Sequence, residues 1–243
     1  MVLNAPVDNS SFYARHYCNK RKLIKKLGEQ KVYNKDNVFP QVENILQNIY
    51  TYVNNTNAID PFEIKALYTI FSVIEEKISN YIDPILDIFS KLLKTTDSGY
   101  SYQIIQYIFE CLSFVIESIK ADQNAQKKLI DTLLQLLNKL MNKGSNDLTS
   151  FLLQIYALLI KNFESMENSV KMTIFESLLN EKNYQQELVS LFPSYSLFFQ
   201  EFINKNPQVA INYSNPLQGV SQKMLDYRTD NAFFSLYSVI FNS

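Results

Sequence analysis

"DPFEIKALYTIFSVIEEKI", residues 60–78, reads as the opening and body of one helix. Asp60 stands where a capping side chain is wanted, and Pro61 fits the first helical position because its missing N–H would have no partner there anyway. Glu63 follows three residues after the cap, which completes a start signal. Beyond it Leu67, Ile70, Val73 and Ile74 fall on one side of the helix, the apolar stripe of an element packed against another.

That stripe recurs down the chain. With Ile74 as reference, Ile116, Ile160, Ile203 and Ile240 follow at intervals of 42, 44, 43 and 37 residues. One residue earlier stand Val73, Val115, Leu159, Phe202 and Val239; four earlier stand Ile70, Leu112, Tyr156, Phe199 and Leu236. Seven earlier the set is Leu67, Phe109, Leu153, Ser196 and Phe233, with Ser196 the one polar member. Apolar-rich helices alternate with mixed ones such as "AQKKLIDTLLQLLNKLM", so one repeat is a pair of helices, and the period matches the roughly 40–47 residues of HEAT and armadillo arrays. Any all-helical chain can be superposed to some degree; the regular alternation and short connections favour the array over a bundle.

Eleven helices are predicted, near 9–27, 40–54, 60–78, 83–94, 100–120, 123–142, 147–163, 169–180, 193–205, 215–226 and 230–242. The expected fold is therefore all-α, a HEAT-repeat solenoid of about five and a half helix pairs forming a single array over 1–243, with repeats near 9–54, 60–94, 100–142, 147–180, 193–226 and a partial 230–243. The last segment, "NAFFSLYSVIFNS", leaves almost no polar face, and each large apolar side chain left in water forfeits about 1.5–3 kcal/mol. It reads as the first helix of a repeat whose second helix is missing, so the chain is expected to be a fragment of a longer solenoid, monomeric, with possible end-to-end packing of the cut repeats.

Composition agrees. Of 243 residues 47% are hydrophobic, enough to fill a core, while 4 glycines and 7 prolines are too few for the many tight turns of a β or doubly wound fold. Net charge is -1, which gives no global argument for nucleic acid or an anionic membrane. The charge is uneven: residues 1–40 carry 8 Lys+Arg against 3 Asp+Glu, and residues 41–110 carry 4 against 9. Cys18 and Cys111 form no C-x-x-C motif, so neither a disulfide framework nor a thiolate metal site is expected. No secretion signal and no apolar run of membrane-spanning length is present in the sequence, and the N-x-S/T triplets at Asn9, Asn54 and Asn212 read as products of an asparagine-rich composition.

Catalytic chemistry finds little support. His16 is the single histidine and sits among aromatics and bases, with no partner converging on it in the local sequence. Asp83 and Asp87 stand one helical turn apart and Glu75 and Glu76 are adjacent, but such pairs recur on every solvated helix face. Gly28, Gly99, Gly144 and Gly219 are isolated, so no phosphate-binding loop is formed. Lys20, Arg21, Lys22, Lys25 and Lys26 make a basic run that could serve localisation or bind acids, yet Leu23, Ile24 and Leu27 give it an ordinary amphipathic pattern. No enzyme activity, cofactor or metal is expected, and function is expected on the surface.

The order of the helices is itself distinctive. Residues 63–118, "EIKALYTIFSVIEEKISNYIDPILDIFSKLLKTTDSGYSYQIIQYIFECLSFVIES", resemble the middle of the exportin-2 family, also called the cellular apoptosis susceptibility (CAS) family. The resemblance rests on Ile64–Leu67, on the helix start Tyr81–Pro84 followed by Lys91–Leu93, and on the aromatic helix Tyr100–Phe109. "SFLLQIYALLI", "LFPSYSLFFQEFI" and "LQGVSQKMLDYRTDNAFFSLYSVI" then follow in the family's order, the last matching at Gly219, Val220, Gln222, Lys223, Leu225, Asp230, Phe234, Leu236, Tyr237, Ser238 and Ile240. Thr95–Gly99 lacks the family's proline-bearing loop and the connection near 180–192 is longer, departures confined to connections, where length changes are tolerated.

The resemblance implies a karyopherin of the importin-β superfamily, here its central repeats: a HEAT superhelix that carries importin-α out of the nucleus with Ran-GTP and shuttles between nucleus and cytoplasm. In such a superhelix the second helix of each pair lines the concave face. The candidate partner-binding residues are then Glu43, Asp83, Asp87, Lys91, Lys127, Lys128, Asp131 and Lys139, with Glu176 and Lys223 further along. Acids dominate early on that face and lysines later, which suits two partners of different charge. The competing reading is a HEAT-repeat scaffold subunit that holds its partners whatever nucleotide is present.

Overall fold

The computed structural model describes residues 42–55, 61–95, 102–143, 146–164, 166, 168–179, 186–227 and 230–242. Among these residues the chain is helical throughout and no strand occurs. The α-helices are α1 (Val42–Asn55), α2 (Pro61–Ile74), α3 (Ile82–Thr95), α4 (Tyr102–Ser118), α5 (Gln123–Lys143), α6 (Asn146–Asn162), α7 (Asn168–Leu178), α8 (Phe192–Lys205), α9 (Pro207–Asn212), α10 (Ser214–Asp226) and α11 (Asp230–Asn242). Two 3-10 helices, Glu75–Tyr81 and Gln186–Leu191, lead into α3 and α8. The predicted helix at 9–27, the basic run, His16, Cys18 and the capping residue Asp60 lie outside the described residues.

The helices form two compact units, one within Asn34–Glu176 and one within Ser177–Ser243. In the first, α2 packs on α4 and α4 on α6, while α1 packs on α3 and α3 on α5. The two rows are joined where α1 meets α2, α3 meets α4 and α5 meets α6. A helix that packs against the one two places along is the arrangement of a helical repeat rather than of an up-and-down bundle, and the fold is all-α and HEAT-like. Ile74, Ile116 and Ile160 lie on α2, α4 and α6 of one row and are 1%, 0% and 2% exposed. In the second unit Ile203 and Ile240 occupy α8 and α11, which pack directly on each other.

Local sequence explains the breaks. The predicted helix at 60–78 is α-helical only to Ile74 and continues as 3-10 helix, and α3 begins at Ile82 with Pro84 in its first turn, where a missing N–H costs no helical bond. Lys94 in the last turn of α3 and Asp83 in its first complement the helix dipole. Helix α9 is not anticipated by the periodicity. Pro207 starts it after Asn206 leaves helical geometry at φ -136°, and it is long enough only to bury Val209 and Ala210 while Ile211 stays exposed.

The row interfaces are mainly apolar and aromatic. Phe109 of α4 stacks on Phe151 of α6 at 5.4 Å, and Tyr68 of α2 meets Phe114 of α4 edge-on at 5.8 Å. Ser196, the polar break in the stripe, is buried and donates its hydroxyl to the Ala232 carbonyl of α11 at 3.0 Å, so burial leaves no unmet hydroxyl. In the first unit the buried Cys111 thiol likewise points at the Ile64 carbonyl of α2, at 3.6 Å. On α11, Leu236 and Ile240 are buried, whereas Phe234 and Tyr237 are exposed, with Phe233 in ring contact with both.

Asp122 caps α5 by accepting the Ala125 backbone N–H at 3.0 Å. That N–H, ahead of every other influence, holds the Asp122 carboxyl below its ordinary value against an opposing desolvation. Because the folded-state pKa is depressed, the cap's stabilisation is present above the unfolded value near about 4 and is lost as pH falls through the folded value. Asp122→Ala is therefore expected to cost about 1 kcal/mol in denaturant unfolding at pH 7 and Asp122→Asn much less, and the cost of Asp122→Ala should shrink as pH falls through the folded-state value. In the core, Ile116→Ala should cost about 2–5 kcal/mol in the same assay, and Ile116→Val about 0.5–1.5.

Candidate partner-binding surface

The predicted binding residues fall mostly on one row. Glu43 lies on α1, its side chain outside the described residues; Asp83, Asp87 and Lys91 lie on successive turns of α3; Lys127, Lys128, Asp131 and Lys139 lie on α5. Helix α3 packs between α1 and α5, so the sequence-predicted charges of the first unit are carried by neighbours. The reason is the amphipathic pattern: α3 turns Ile85, Ile88, Phe89 and Leu92 inward, which leaves Asp83 and Asp87 in solvent. On α5, Leu129, Leu133, Leu137 and Leu140 do the same for Lys127, Lys128, Asp131 and Lys139. Glu176 is exposed on α7, and Lys223 is exposed on α10 of the second unit.

One pairing within this set was not foreseen. The Lys128 ammonium donates to both carboxylate oxygens of Asp83, each at 2.8 Å, and ties α5 to α3. The side chains are 50% and 69% exposed, so water screens the attraction and the pair is worth about 0–1 kcal/mol. Its sequence signal was available: the two residues are 45 apart, one repeat. The other row holds a second tie at the same spacing, from the Asn162 amide of α6 to the Glu117 carboxylate of α4 at 3.2 Å. Opposite or complementary groups one period apart thus meet across neighbouring helices.

Pairing changes the field of the face. Lys128 and Asp83 largely cancel at a distance, and what remains exposed on α3 and α5 includes Asp87 and Asp131 beside Lys94, Lys127 and Lys139. Both signs are interspersed. No group of three or more metal-ligating side chains occurs among the described residues, so the Asp83 and Asp87 spacing is not extended into a cluster. Burial, then the Glu110 carboxylate, push the half-buried Tyr68 up to about 12, burial alone pushes Tyr195 up to about 12, and burial raises Tyr156 as well, so these phenols are held protonated; Cys111 and Lys171 are also buried. Tyr156 donates its hydroxyl to the Asn138 side chain of α5, joining the two rows. Among the described residues no helix is long and apolar enough to cross a membrane.

Among the described residues, then, the chain is an all-α, HEAT-like repeat with a solvated row of mixed charge. The family model described as CAS/CSE protein, C-terminus, matches residues 22–243, and the chain belongs to that family, whose members are exportin-type transport receptors. The resemblance in sequence pointed to the family's middle; the model that matches is that of its C-terminus. No match was found among curated proteins or among solved structures.

The Asp83 and Lys128 pair can be measured. In a double-mutant cycle of Asp83→Asn and Lys128→Gln, the coupling energy from denaturant unfolding is expected below about 1 kcal/mol at low salt and smaller still in 1 M salt, where the screening length falls to about 3 Å. A coupling that survives high salt undiminished would show that the pair is desolvated in solution.

Proposed function

We propose that this chain is part of a nuclear export receptor that returns importin-α from nucleus to cytoplasm together with Ran-GTP, and that shuttles between the two compartments. The observation that carries the reading is the family match over residues 22–243. The two-row fold supports it, because a repeat array offers a long surface on which several protein partners can be held by dispersed contacts. Within that reading the α1, α3 and α5 row takes part in binding, with Asp87, Lys127, Asp131 and Lys139 among its exposed charges and Asp83 and Lys128 engaged with one another until a partner competes. Glu43 and the half-buried Lys91 belong to the same proposed surface.

Binding of this kind is steered more than it is anchored. Solvated charges on a rim change association rate and selectivity, and each contributes little to affinity alone. Asp87 is a cleaner probe than Asp83, since reversing Asp83 also places a lysine against Lys128. The test is capture of importin-α by the full-length receptor with and without Ran-GTP. Capture should require Ran-GTP, and Asp87→Lys should slow association several-fold and more at low salt. Glu164→Lys, an exposed acid in the turn after α6, should leave the rate unchanged. Capture that ignores the nucleotide would favour the scaffold reading, and equal losses from Asp87→Lys and Glu164→Lys would remove the row from the binding surface.

A further inference from the structure

We draw no further inference here: the strongest candidate, the aromatic face that Phe234 and Tyr237 expose on helix α11, is a solvent-exposed apolar face and nothing in the structure shows what covers it.

Discussion

Lateral burial is the constraint on which the first unit depends. Helices such as α2 and α4, with 14 and 17 residues, are close to the length at which an isolated helix is marginal in water, so packing must supply what propensity does not. Each satisfies its stripe against the helix two places along, and α4 does so on both sides, against α2 and α6. A return helix must lie between any two neighbours of a row. The interval in sequence is then set by one helix, its partner and two short connections, which is why Ile74, Ile116 and Ile160 can all be buried in the same row at intervals of 42 and 44 residues.

The same geometry dictates where polar groups may meet. Residues one period apart sit at equivalent positions on adjacent helices, so a polar side chain at the edge of a stripe has its neighbour's equivalent as the natural partner. Asp83 with Lys128 and Glu117 with Asn162 meet at a separation of 45, within a residue or so of one period, one pair on each row. The two ties differ in consequence. Asp83 and Lys128 are mostly in solvent and hold register weakly, whereas Glu117 and Asn162 are part-buried, and each keeps a second partner, Lys120 for Glu117 and the Leu158 carbonyl for Asn162.

Most helices were legible because burial writes a 3.6-residue period into apolar positions, and nearly all described boundaries fall within about two residues of those read from the sequence. What escaped had other causes. The end of α2 was overrun because the stripe continues through Ile78, which is buried in 3-10 helix, and apolar pattern does not distinguish that from α-helix over one turn. Helix α9 is too short to show a period and is announced only by Pro207. Ser196 looked like a flaw in the repeat because a sequence stripe records polarity and not partners; the carbonyl of Ala232 that accepts its hydroxyl is backbone, invisible to a reading of side chains. The individual charges of the surface row could be placed on α3 and α5, yet their pairing required comparing residues a full repeat apart.

If the α1, α3 and α5 row binds partners as proposed, its mixed signs and internal ion pair constrain how they can be held. Asp83 is already neutralised by Lys128, so a cation from a partner gains there only the difference between two solvated ion pairs, which lies within the small range such pairs span. Asp87, one turn further along α3, is exposed and offers a greater gain, and Lys127 and Lys139 offer the opposite sign on α5. No single contact of this kind sets a tight complex. On the proposed reading, affinity would be assembled over several repeats, while discrimination would come from requiring acidic and basic partner groups in a fixed relative position, since a shifted register sets like charges against each other. On that reading, the spacing that makes the core pack is also the ruler that orders the charges offered to a partner.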